Sequence, residues 1–192
     1  MTGGAAPESR QPGRPDRRRR AGWIIGLVVI ASAIALAAAF RLSQADGGST
    51  VADAAALHEL DAETGAPGVR SRTLLTAEVS GVPFPRYPVA FGWLPTGRRS
   101  DIVDGRRAVT VFYASGGRRI GYTILEGAAV SPPQDAKTTP VEETRVAAFD
   151  RAGRTILTWR RRGRTCVMSA VEVPFVELAR LATWKGGGTV PF

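Results

Sequence analysis

Residues able to do chemistry are sparse in this 192-residue chain. Acid pairs occur at Asp101 with Asp104 and at Glu142 with Glu143. Neighbouring carboxylates can share a proton or hold a cation, but acids in turn-like sequence are ordinarily solvated, so neither pair is assigned a catalytic or metal role. His58 and Cys166 are the single histidine and the single cysteine. No disulfide can form within the chain, and no His-based triad or His-rich metal site is expected. Cys166 lies in the apolar run RTCVMSAV, where a thiol packs as a small hydrophobe; a thiol that pairs chains or senses oxidants is the alternative. Arginine supplies the one recurrent chemistry. Gathered on one surface, Arg98, Arg99, Arg106, Arg107, Arg160, Arg161, Arg162 and Arg164 would bind anionic polymer, lipid headgroups or an acidic partner. Solvated arginines on exposed hairpins are the plainer reading. Trp93, Trp159 and Trp184 either line a small-ligand groove or fill the core. The motifs G-x-S-x-G, G-x-x-x-x-G-K-[ST], H-E-x-x-H and C-x-x-C do not occur. No catalytic, cofactor-binding or metal-ligating residue is therefore assigned, and an enzyme is not expected.

The elements that would position these residues follow from periodicity. From about Leu74 the pattern has period two, and the segments 108–113, 119–125, 144–150, 154–160 and 165–171 are rich in β-branched and aromatic residues, predicting five strands. Turn chemistry at DG (104–105), SGG (115–117), RAG (151–153) and RRG (161–163) predicts tight hairpins and an antiparallel meander. Residues 89–95 would add an edge strand, while the proline-punctuated stretch 130–143 reads as a loop. In EVPFVELARLATW, Pro174 suits a first helical turn, and Phe175, Leu178, Ala179, Leu181 and Ala182 share one face. An amphipathic helix closing the sheet is expected, which makes the fold class α+β, with one domain over residues 74–184 and a flexible tail at 185–192.

Ahead of that domain, residues 21–40 hold no charge, and twenty helical residues span roughly 30 Å, the thickness of a bilayer's hydrocarbon core. Arg17, Arg18, Arg19 and Arg20 precede this segment and only Arg41 follows at once, so a transmembrane helix with a cytoplasmic amino terminus is expected. The competing reading is a cleaved signal peptide, with Ala37 and Ala39 as its small residues, against which the run is long. Residues 1–20, basic and rich in Gly and Pro, are expected to be disordered in the cytoplasm. Residues 41–73 read as a polar stalk with a short helix near 51–63, opened by Thr50 and Asp53, in which Ala54, Leu57, His58 and Leu60 recur at helical spacing. The net charge is +9, and six of the 26 basic and two of the 17 acidic residues lie in 1–20. Part of the excess is thus the topology signal, and no nucleic-acid partner is expected of an exported domain.

The succession FP…GW…TGRRSDIVDGRRAVTVFY, GGRRIGYTIL and GRTILTWRRRGRTCVMSAVEVPFVELARLATW resembles the extracytoplasmic part of bacterial transmembrane anti-sigma factors over about residues 80–184. The resemblance implies a sensory or regulatory role, with a protein partner in a sigma-factor pathway. That family's cytoplasmic sigma-binding helical domain, often carrying a His/Cys zinc motif, has no counterpart in residues 1–20, and no binding residue is carried over. The expectation is a single-pass protein of the bacterial membrane displaying a non-catalytic domain outside. A secreted or surface module binding anionic polymer or lipid is the alternative, and an exported hydrolase a remoter one.

Overall fold

β-Branched and aromatic runs separated by X-Gly turns form the strands of the protein. The structure, a computed structural model, describes residues 1–2 and 47–186. Among these, β1 (Thr64–Gly65), β4 (Leu94–Val103), β5 (Arg106–Ser115), β6 (Arg118–Leu125), β7 (Lys137–Val141), β8 (Thr144–Arg151), β9 (Arg154–Arg161) and β10 (Arg164–Ala170) make one sheet. Its order is β1-β4-β5-β6-β10-β9-β8-β7, and every pairing is antiparallel. The sheet is therefore two meanders, β4–β6 and β7–β10, joined where β6 pairs with β10. β2 (Leu74–Val79) and β3 (Val82–Pro85) form a separate hairpin.

Five hairpin turns have two central residues, both with positive φ: Ser80-Gly81, Asp104-Gly105, Gly116-Gly117, Ala152-Gly153 and Arg162-Gly163. That geometry matches the twist of the flanking strands, and glycine at the second position adopts it without steric cost.

Strand alternation sorts the side chains into two layers. One face carries Val109, Val111, Tyr113, Ile120, Tyr122, Ile124, Leu157, Trp159, Cys166 and Met168. It is covered by the β2–β3 hairpin, by Tyr87 and Trp93, and by α2 (Phe175–Thr183) through Leu178, Ala179, Leu181 and Ala182. Tyr113 donates to Pro85 O at 2.8 Å and Tyr87 to Leu181 O at 3.1 Å, so the hydroxyls of these buried rings are satisfied. The opposite face presents Ala108, Leu125, Phe149, Ile156 and Val167 to α1, helical over residues 47–56, whose Val51, Ala54 and Ala55 are buried there. A 3-10 turn, Leu57–Glu59, follows α1.

Four expectations change. The described part of the segment read as a stalk is a layer of the folded unit, which takes in residues 43–192, because small alanines let α1 sit close to the sheet. Thr50 does not open the helix, which is already formed at residue 47; its hydroxyl donates to Asp104 at 3.0 Å. Residues 89–91 form a 3-10 turn instead of an edge strand, and β4 runs on to Val103. Within the stretch expected as loop, Lys137–Val141 pairs with β8, and edge position is where a strand containing Pro140 is tolerated. The transmembrane helix at 21–40, the disordered segment 1–20 beyond its first two residues and the tail beyond Gly186 lie outside the described residues. Among the described residues no helix is long and apolar enough to cross a membrane.

Candidate functional site

The sheet face under α1 is unusual in being lined with hydroxyls. Register places Thr110 beside Thr123, and Gly121 beside both Phe112 and Ser169. The gap above Gly121 receives the His58 ring, and a methyl group there would overlap the imidazole. His58 is 2% exposed and Ser169 fully buried. The ring nitrogens meet two hydroxyls, Nδ1 to Ser169 Oγ at 2.6 Å and Nε2 to Thr123 Oγ1 at 2.9 Å, and Thr123 Oγ1 lies 2.6 Å from Thr110 Oγ1.

Arg154 Nε also donates to Ser169 Oγ at 3.3 Å. In either tautomer of the neutral ring, one nitrogen donates to its hydroxyl partner and the other accepts from its own. Burial, reinforced by the Arg154 and Arg119 charges, lowers the imidazole from its ordinary 6.5 to about 3. One histidine is thus enough for a Ser–His contact, which the sequence reading had set aside. Burial makes this imidazole a weak base and Ser169 is fully buried, while His58 lines one side of a cleft of about 390 Å3 together with Glu59, Arg119, Arg154 and Glu172 among others. There Arg119 lies over the Phe112 ring, 3.9 Å from its centroid, and donates to Leu60 O at 2.6 Å.

Six of the eight arginines singled out in the sequence donate from their side chains to groups of the chain itself. Arg98 donates to Thr64 Oγ1 at 3.2 Å. Arg99 clasps Asp101 through two bonds of 2.7 and 2.6 Å, which raises its already high pKa. Arg106 and Arg164 donate to the Ala128 and Gly127 carbonyls, tying down the chain after β6. Arg161 and Arg162 donate to Pro83 O and Gly81 O, fastening the β2–β3 hairpin to the sheet. Of the eight, only the Arg107 and Arg160 side chains make no hydrogen bond or ion pair among the described residues.

Most of the remaining candidates are engaged or buried; Glu142 is exposed in the turn between β7 and β8. Asp104 accepts from Thr50, and Glu143 pairs with Lys185. Among the described residues no group of three or more His, Cys, Asp or Glu could hold a metal ion. Cys166 is fully buried, with Tyr122 donating to its sulfur at 3.5 Å, and burial raises the thiol to about 11. Trp93 and Trp159 are core residues. Trp93 Nε1 donates to Glu177 at 3.0 Å, and Glu177 also holds Arg118 at 2.9 and 3.2 Å, which fixes α2 on the sheet. Trp184 packs on Tyr87 and Phe91.

No family model, curated protein or solved structure matches this chain in the comparisons made.

Proposed function

We propose that this chain is a single-pass protein of the bacterial membrane whose carboxyl-terminal unit is a non-catalytic sensory or interaction domain outside the membrane, of the kind the anti-sigma-factor resemblance implies. The observation that carries the reading is α1. The helix is already formed at residue 47, with only six residues between it and the end of the apolar segment 21–40, and it is a buried layer of the domain through Val51, Ala54 and Ala55, followed directly by the buried His58. A rigid covering element joined so closely in sequence to an anchor can pass a change in the sheet to the chain leading into the membrane. A long flexible stalk would lose such a change in its own freedom. The non-catalytic part of the reading is supported by the engagement of the carboxylates, thiol and imidazole described above.

Carboxyl-terminal fusions to alkaline phosphatase and to a fluorescent protein that matures only in the cytoplasm test the topology. Active phosphatase on a membrane-bound, full-length chain is expected. Crosslinking of the same chain in a bacterial host, with partners identified by mass spectrometry, should recover a sigma-pathway or envelope protein. A shortened soluble fragment without partners would overturn the reading.

A further inference from the structure

Beyond the area covered by α1, the same sheet face carries a second arrangement. Thr158 on β9 stands beside Ala147 on β8, which stands beside Thr138 on β7. Past the Val146–Trp159 pair come Arg145 on β8 and Arg160 on β9. These residues, with Thr144, line a pocket of about 450 Å3 whose far wall is Val130 and Pro132. The wall is fixed, since Val130 N donates to Thr165 Oγ1 at 2.8 Å.

Two features of this pocket suit an anion. Arg145 and Arg160 bring two positive charges to one lining, and neither side chain has a carboxylate within ion-pair distance or a hydrogen bond among the described residues. The Thr158 hydroxyl, which makes no hydrogen bond to the protein, opens onto the pocket and is free to donate there. The one acid on the lining, Glu143, is paired with Lys185. An anion rich in acceptor oxygens would engage both features together, because guanidinium groups and hydroxyls are all able to donate.

We propose that this pocket is a binding site for a phosphate-class oxyanion, held by Arg145 and Arg160 with the Thr158, Thr138 and Thr144 hydroxyls as further donors. Phosphate suits the donor set better than a carboxylate, since its oxygens project in several directions and the donors come from three adjacent strands. The ligand is either a free phosphate compound or the phosphodiester of an anionic lipid headgroup. The site stands apart from the topology proposed above and does not depend on it.

The test is calorimetric titration of the full chain, in phosphatidylcholine nanodiscs, with inorganic phosphate against chloride at matched ionic strength. Saturable binding is expected. Arg145→Gln and Arg160→Gln should each weaken it tenfold or more, and the isosteric Thr158→Val severalfold, while Arg107→Gln, outside the pocket, leaves it unchanged. The ligand-free unfolding midpoints of the two arginine variants should be equal to or above that of the natural chain, because one of the two like charges on the lining is removed. Repeating the titration in phosphatidylglycerol nanodiscs separates the sources. Apparent weakening of phosphate binding by competition identifies the headgroup, and unchanged binding identifies a free phosphate compound; either upholds the site. No saturable binding, or equal affinity in Arg145→Gln, Arg160→Gln and the natural chain, overturns it.

Discussion

His58 stays neutral wherever the fold is intact near neutral pH, because burial disfavours the charged ring and the Arg154 and Arg119 guanidiniums oppose a second proton. The linkage to stability follows in sign. The unfolded histidine takes up a proton as pH falls through about 6.5, whereas the folded one resists until about 3, so acid favours unfolding. The stabilisation is fully present above pH 6.5 and is lost at about 1.4 kcal/mol per pH unit below it. Between about pH 6.5 and 5, above the range in which carboxylates titrate, this single residue should dominate the slope. Denaturant unfolding across that window measures it, and His58→Gln, which cannot titrate, should flatten the curve. An unchanged slope in that variant would place the acid sensitivity elsewhere. None of this was legible in the sequence. Ser169 lies 111 residues and Thr123 65 residues from His58, and only the β6–β10 pairing brings the two hydroxyls together beneath α1.

At the scale of elements, legibility followed burial. β5, β6, β8, β9 and β10 carry alternating β-branched and aromatic residues, and their X-Gly turns were readable because glycine tolerates the positive φ that the turns demand. β4 and β7 were hidden because they lie near the two edges of the sheet, where LPTGRRSDIV and KTTPV face largely outward and show little apolar alternation. α1 was misjudged for the opposite reason. Its buried residues include Ala54 and Ala55, which form a weak hydrophobic signal but fit closely against the sheet. The turns also hold a reserve of stability. Ala152 sits at φ 51° in the β8–β9 turn, where an L residue with a Cβ is strained by about 1 kcal/mol. Ala152→Gly relieves that strain and gives back part of it through the flexibility of the unfolded chain, for a net gain of roughly 0.5 kcal/mol. A higher midpoint in thermal or urea unfolding is the expected result, and a lower one would mean that the alanine makes a contact worth more than its strain.

Across the whole molecule, one sheet has two covers, and neither is optional. The β2–β3 hairpin and α2 seal the aromatic face, fastened by Arg161 and Arg162 on backbone carbonyls and by Glu177 between Trp93 and Arg118. α1 seals the other. A boundary drawn from period-two patterning alone begins the domain at Leu74 and leaves α1 out. That cut would expose Ala108, Leu125, Phe149, Ile156 and Val167 together with the hydroxyls that His58 satisfies. Burying five such side chains contributes on the order of several kcal/mol, comparable with the total stability of a domain this size. A fragment of residues 74–192 should therefore aggregate or bind a hydrophobic dye and unfold without cooperativity. One of residues 43–192, with α1 intact, should give a single sharp transition by calorimetry and circular dichroism. If the shorter fragment unfolds as cooperatively and at the same midpoint, α1 is a passenger on the sheet, and it could not couple the domain to the chain that precedes it.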